Sequence, residues 1–108
     1  MAAQPLFAFA SLRDAQGNVQ RFGRDAVHFA ALRNWTSPRT RASYPVSARV
    51  QVGTRTFDTQ PLLDDQELDS TLSTGAVYWE GASRLLEHGR LAGRGYLEMT
   101  GYVTPLRL

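Results

Sequence analysis

The sequence contains no cysteine and no lysine, and its only two histidines are His28 and His88. The absence of cysteine excludes disulfide bonds, thiolate nucleophiles and cysteine-based zinc or iron–sulfur sites. Because two distant histidines and scattered carboxylates do not make a ligand set, we predict no metal site. A phosphate-binding glycine loop and a G-x-S-x-G elbow are also absent, and we predict no cofactor.

Long apolar runs are missing as well. No stretch approaches the roughly 18 apolar residues of a membrane helix, so we predict no membrane insertion. The N-terminal residues MAAQPLFAFASLRD lack the basic start and long apolar stretch of a secretory signal, which leaves the compartment unknown. The twelve basic residues are all arginine, but they are dispersed and do not cluster with aromatics, so we predict no nucleic-acid binding.

What is present is typical of one folded domain spanning residues 1–108. The chain is 43% hydrophobic and 20% charged, values near the average for globular proteins. Val46, Val50 and Val52 alternate with polar residues, a period of two that predicts a half-buried strand. Further strands are predicted at 6–13, 19–22, 26–32, 55–59, 76–86 and 93–103. By periodicity alone, residues 26–32 could also form a helix.

The segments between these strands are predicted to be irregular. Residues 34–45 hold two prolines and several hydroxyl side chains, which predicts a long loop. Residues 61–68 are acidic and favour one helical turn or an Asx-type loop. Residues 87–92 predict the turn of a long hairpin, with Gly89 at positive φ. About seven strands and little helix indicate an all-β, antiparallel barrel or sandwich.

Three groups of residues carry a family resemblance that periodicity does not provide. They are Trp35-Thr36-Ser37-Pro38 with Tyr44-Pro45, then Asp64-Asp65-Gln66-Glu67-Leu68, and finally Tyr78-Trp79-Glu80-Gly81-Ala82 with the tail GRGYLEMTGY of residues 93–102. In order and spacing they resemble the C-terminal part of the lipocalin-like carotenoid hydratase and hydroxyneurosporene synthase family, which includes kievitone hydratase and secreted predicted hydrolases.

The resemblance implies a lipocalin-like (calycin) β-barrel or partial barrel. Members of that family are similar to two such barrels in one chain with an apolar ligand site, and the resemblance covers about their last third. We therefore expect either a fragment or a partial barrel that completes itself with another copy through its open strand edges. For full-length members, the resemblance implies a periplasmic or secreted location.

Two carboxylates are candidates for acid chemistry. Tyr78 and Glu80 share one face of their strand, and Trp79 lies on the other. If the Glu80 face points into a barrel, burial would raise the pKa of Glu80 and suit it to donate a proton. Glu98 could form an acid pair with it across the hairpin. The alternative for both is a structural role, with an arginine such as Arg49 or Arg94 bridging the carboxylate.

Large aromatic residues, together with Glu98, are the candidates for ligand contact. Trp35 and Tyr44, in the predicted loop, would suit the mouth of a lipocalin-like barrel, and Tyr78 and Trp79 would extend the contact along a strand. Core packing is the alternative for each. We predict that the chain binds a hydrophobic small molecule, terpenoid or lipid-like, as part of a larger or oligomeric barrel. The alternatives are a hydratase or cyclase, although no upstream acid site of the hydratases matches here, and a structural module without a ligand.

Overall fold

The computed structural model describes residues 7–73 and 75–103 of the chain. Within them the chain forms eight β-strands and a single 3-10 turn. In chain order the elements are β1 (Ala10–Arg13), β2 (Val19–Phe22), the 3-10 turn (Arg24–Ala26), β3 (Val27–Thr36), β4 (Ser43–Val52), β5 (Arg55–Pro61), β6 (Glu67–Ser70), β7 (Ala76–Glu87) and β8 (Arg90–Thr100). Every strand pair is antiparallel, which confirms the predicted all-β class.

The strands form one small sheet and one large sheet. β1 and β2 make a two-stranded hairpin, and the other six strands make the second sheet in the order β3-β4-β5-β7-β6, with β8 also paired to β7. Ser83 pairs with both β5 and β8, and Trp79 pairs with both β6 and β8. Because a strand has two edges, β5 and β6 must share one edge of β7 and β8 must occupy the other.

The large sheet is open in the part of the chain that the structure describes. β3 pairs only with β4, and β8 pairs only with β7, so each leaves one edge without a partner strand. Such edges present unpaired N–H and C=O groups. The architecture is therefore a partial barrel, as the length of the resemblance led us to expect.

The two faces of the large sheet differ in burial. Residues paired directly across neighbouring strands project from the same face. We call the face that contains Trp79 the inner face, because Trp79 and Met99 are paired there and both are buried. The opposite face of β7 and β8, the outer face, carries Tyr78, Glu80, Ala82 and Arg84 beside Thr100, Glu98, Tyr96 and Arg94.

The hydrophobic core sits on the inner face. Tyr44, Val46, Trp79 and Met99 form one buried cluster with Ala42, and Trp35 and Leu97 pack against it. Val52 and Phe57 are also buried. The valine alternation predicted for β4 is confirmed, since Val46 and Val52 are buried whereas Arg49 and Gln51 are exposed. Among the described residues, no helix is long and apolar enough to cross a membrane.

Three predicted segments differ from the structure. The long loop at 34–45 is wrong: β3 runs on to Thr36 and β4 begins at Ser43, so only residues 37–42 connect them. Of the two alternatives at 61–68, the helical turn is wrong: residues 62–66 form a loop between β5, which ends at Pro61, and β6, which begins at Glu67. The last hairpin turns at His88 and Gly89 alone, both at positive φ, rather than over residues 87–92.

Strand predictions near the start of the chain were closer to the structure. The ambiguous run at 26–32 is strand β3, which extends four residues further than predicted, from 32 to 36. The first strand is shorter than predicted and covers Ala10–Arg13, and Leu6 lies outside the described residues. Asp14 accepts hydrogen bonds from the backbone N–H groups of Gln16 and Asn18, which fixes the predicted turn between β1 and β2.

Candidate functional site

An aromatic cluster covers one end of the inner face. Trp35 and Tyr44 are paired across β3 and β4, and their rings stack with centroids 6.2 Å apart and planes 19° from parallel. Tyr102 also contacts Tyr44, with ring centroids 5.4 Å apart and planes 40° from parallel. Tyr44 and Trp79 are fully buried. The structure thus brings together three of the predicted ligand-contact residues, Trp35, Tyr44 and Trp79.

Hydrogen bonds to the β5–β6 connector and to the first residue of β6 fix the two buried rings. The indole N–H of Trp79 donates to the backbone carbonyl of Asp64 at 2.7 Å. The Tyr44 hydroxyl donates to Oε2 of Glu67 at 2.6 Å. A buried Tyr or Trp needs such a partner for its polar tip. Both rings are therefore held in one orientation, with their apolar faces towards the core.

Glu67 is a buried carboxylate that the sequence analysis did not single out. Its side chain is 2% exposed. Oε1 accepts from the Ser37 hydroxyl at 2.6 Å and from the Arg39 guanidinium at 3.3 Å, whereas Oε2 accepts from Thr40 at 2.7 Å and from Tyr44. All four donors lie in residues 37–42 or at the start of β4. The carboxylate therefore fastens the β3–β4 connection to β6.

The surroundings of Glu67 favour its ionised form. Burial by itself would raise the pKa of this carboxyl, but the hydrogen bonds from Ser37, Tyr44 and Thr40, with the charge of Arg39, lower it below its usual value. Burial, followed by the Glu67 carboxylate, raises the pKa of the Tyr44 hydroxyl. Glu67 is thus an acceptor at neutral pH and is not placed to donate a proton.

Two ion pairs flank this cluster at the surface. Arg33 donates two hydrogen bonds to the Asp64 carboxylate, both 2.8 Å long. Arg39 likewise donates two hydrogen bonds to the Asp65 carboxylate, 2.9 and 2.6 Å long. The four side chains are between a third and a half exposed, so we expect each pair to add little free energy. Their geometry instead orients the connector, which supplies the partner of Trp79 and leads into Glu67, the partner of Tyr44.

The other end of the inner face holds a groove. Gly95 on β8 faces Ser83 on β7, and a Cβ atom at Gly95 would meet nothing within 4 Å. The groove has a volume of about 170 Å³, and most of its surface is apolar. Its lining residues are Thr59, Ser83, Arg84, Leu85, Arg94, Gly95, Tyr96 and Leu97. Ser83 is only 6% exposed, and its hydroxyl has no hydrogen-bond partner among the described residues.

The remaining predicted site residues lie on the outer face. Tyr78, Glu80 and Glu98 project from the side of β7 and β8 that faces away from the core, with Glu80 directly opposite Glu98. Arg49 does not bridge Glu80, because it is bound to Asp58 by two hydrogen bonds. Arg94 lies opposite Arg84 instead. Within residues 7–73 and 75–103, no arginine forms an ion pair with either glutamate.

Sequence reasoning missed Glu67 and Ser83 for different reasons. Glu67 stood in a segment interpreted as a connector, although it belongs to the DDQEL group that carries the family resemblance. Ser83 falls on the Trp79 face of β7 by alternation, and that signal was available from the sequence. No three His, Asp or Glu side chains of the described ranges come together as metal ligands would.

Comparisons with known proteins place the chain in a family. A family model described as AttH-like matches residues 2–102. The crystal structure of a Nitrosomonas europaea protein assigned to AttH superposes with a TM-score of 0.87 at 53% sequence identity. The match covers 91% of this chain but only 30% of that one. No curated protein matches the chain.

These findings support the coarser part of the resemblance noted in the sequence. AttH-like proteins are lipocalin-like and related to the carotenoid hydratases, whereas membership of the carotenoid hydratases themselves stays a prediction. The match runs through all three residue groups that carried the resemblance and through the aromatic cluster built from them. The chain belongs to the AttH-like family.

Proposed function

We propose that this chain is a lipocalin-like module that binds a hydrophobic small molecule, terpenoid or lipid-like, on the inner face of its sheet. The observation that carries the proposal is the mainly apolar groove beside Gly95, whose lining includes Ser83 with a buried hydroxyl that has no partner among the described residues. A buried hydroxyl without a partner costs free energy unless another group satisfies it. A ligand with an apolar body and one hydroxyl or carbonyl group would fill the groove and supply that partner.

The size of the groove favours a site shared with further strands. Pockets for small molecules usually enclose about 300–1,000 Å³, whereas this groove has about 170 Å³. The chain also spans only 30% of the length of its structural relative. The module would thus supply one wall of a larger barrel, and we propose that its open β3 and β8 edges pair with further strands, including those of a second copy.

The enzymatic alternative depends on Glu80 or Glu98 as a proton donor. A carboxyl group becomes an effective acid near neutral pH when burial raises its pKa. Both glutamates lie on the outer face, and Glu98 is exposed. This placement favours binding over hydratase or cyclase chemistry for this chain.

Filling the groove tests the proposal. Gly95→Leu would place an apolar side chain where a Cβ atom has open space, so the sheet should tolerate it while the ligand volume is lost. We expect the variant to bind the fluorescent polyene cis-parinaric acid at least about tenfold more weakly than the unmodified chain, which corresponds to about 1.4 kcal/mol. Fluorescence titration measures the difference.

A matched control and a second variant sharpen this test. Gly23 also has open space at its Cβ position and lies far along the chain from the groove, so Gly23→Leu should leave binding unchanged. Ser83→Ala removes a hydroxyl that has no partner in the described part of the chain, so it should keep stability but weaken binding of the terpenoid alcohol farnesol. Equal binding by the Gly95 and Gly23 variants would contradict the proposal and favour a structural module.

A further inference from the structure

The outer face of the β7–β8 hairpin carries an ordered charge pattern. Glu80 lies opposite Glu98 across the two strands, and Arg84 lies opposite Arg94. Ala82 and Tyr96 form the row between these two rows. The face thus presents an acidic row, a neutral row and a basic row, each separated from the next by two residues along the strand.

This arrangement is unfavourable in an isolated hairpin. Like charges directly opposite each other across antiparallel strands are destabilising. The acidic and basic rows are four residues apart, about 14 Å along a strand, which is too far for an ion pair between them. Across the described residues, none of these four charged side chains makes an ion pair. Arg49, Arg33, Arg39 and Arg55, by contrast, are each paired with a carboxylate.

The pattern is complementary to itself. Consider a twofold axis that lies parallel to the sheet, at right angles to the strands, and passes over Ala82 and Tyr96. Rotation about this axis reverses the strand direction in the second copy. It therefore places the acidic row of one copy over the basic row of the other. The alternative axis, parallel to the strands, would stack acid on acid. Sheets pack face to face about 10 Å apart, a gap that arginine and glutamate side chains can span together.

We propose that the outer face of the β7–β8 hairpin docks against the same face of a second copy about this axis. Glu80 then meets Arg84 of the second copy, Glu98 meets its Arg94, and each contact occurs twice by symmetry. Tyr96, which is 68% exposed, lies at the centre, where large aromatic side chains contribute most to interfaces. This contact does not use the pairing edges of the strands, but three of its residues, Arg84, Arg94 and Tyr96, also line the groove beside Gly95.

Charge exchange tests the proposal without weakening the fold. Arg84→Glu and Glu80→Arg each turn a like-charged cross-strand pair into an opposite-charged one, so each variant should be at least as stable as the unmodified chain. Each also places like charges together between the two copies, which is unfavourable. We expect either variant to weaken self-association about tenfold or more at an ionic strength of about 0.01 M. The combined Glu80→Arg and Arg84→Glu variant restores opposite charges and should recover association.

Sedimentation equilibrium measures these constants. Arg21→Glu, on the exposed part of β2, makes the same change in net charge away from the face and should behave as the unmodified chain. Raising the ionic strength to about 1 M should weaken association, because it screens the exposed charges. Association that is equally strong in the Arg84 and Arg21 variants would overturn the proposal and favour the strand edges. A monomer at about 1 mM and low ionic strength would also overturn it.

Discussion

At the scale of single residues, Glu67 shows why a buried charge can be structural. Its two oxygens accept hydrogen bonds from Ser37, Thr40, Tyr44 and Arg39, so every lone pair that burial removes from water has a donor. A buried carboxylate without such donors would become protonated instead. Glu67 therefore joins β6 to the β3–β4 connection and fixes the aromatic end of the inner face.

The substitution Glu67→Gln tests this role. Glutamine has one acceptor oxygen, and its NH₂ group would face hydroxyl or guanidinium donors. We expect the free energy of unfolding at pH 7 to fall by about 2–3 kcal/mol, measured by urea denaturation. Glu87→Gln is the matched control, since Glu87 pairs with Arg55 near the surface and should cost less than about 1 kcal/mol.

The unmodified chain and the Glu67→Gln variant should also differ in how their free energy of unfolding depends on pH. The pKa of Glu67 is lower in the folded chain than its ordinary value of 4.5, so its stabilising effect is present above pH 4.5. That effect is lost as the pH falls through the folded-state pKa, because protonation then favours the unfolded chain. The Glu67→Gln variant should lose stability less steeply on acidification. An unchanged slope would contradict the assignment of Glu67 as an ionised buried group.

At the scale of elements, the junction of β5, β6 and β7 depends on Gln66 and Gly81. β5 and β6 occupy the same edge of β7, and Gln66 closes the gap between them. Its side chain accepts from the Ala82 N–H at 3.0 Å and donates to the carbonyl of Leu63 at 2.9 Å. A Cβ atom at Gly81 would overlap this amide group. Glycine is required here for close approach, not for its backbone angles.

Gly81→Ala should therefore displace the Gln66 side chain. We expect a loss of about 1–3 kcal/mol in unfolding free energy, because the hydrogen bonds of a partly buried amide are broken. Gln66→Ala alone should cost a similar amount. In the Gln66→Ala background, however, Gly81→Ala should cost little more, which a double-mutant cycle measures. Additive losses in the double variant would show that the two residues act independently.

The strands show which elements local sequence could predict. Alternation identified β4 from Val46 onward, but Pro45 obscured its start. Proline is tolerated there because the first half of β4 pairs with β3 alone, while β5 pairs only with residues 49–52. The strand β6 was not predicted, because its four residues do not alternate between apolar and polar side chains. Their extended conformation depends on pairing with β7.

The candidate site was predictable to a similar extent. Alternation correctly separated Trp79 from Tyr78 and Glu80, but it could not show which face is the inner one. Within residues 78–82, each face of β7 carries one aromatic and one small residue, so hydrophobicity does not distinguish the faces. The long-range contacts of Glu67 with Ser37 and Tyr44 join residues at least 23 positions apart, beyond the reach of any periodic pattern.

At the scale of the whole molecule, the inner face is packed at one end and open at the other. Trp79, Tyr44 and Met99 close the first end, while the absence of side chains at Gly93 and Gly95 leaves the second end hollow beside Ser83. Phe29, which is also paired on the inner face, remains 47% exposed. An incompletely covered apolar face of this kind suits a wall that is completed by a ligand and by further strands.

The most direct test of ligand binding on this face is to map it by NMR. Farnesol, an apolar chain with a single hydroxyl group, would be titrated into the ¹⁵N-labelled chain while backbone amide shifts are recorded. We expect saturable changes concentrated at Ser83, Gly93, Gly95 and Leu97, with Glu80 and Glu98 little affected. Unsaturable changes, or changes centred on the outer face, would contradict the claim that the inner face is the binding site.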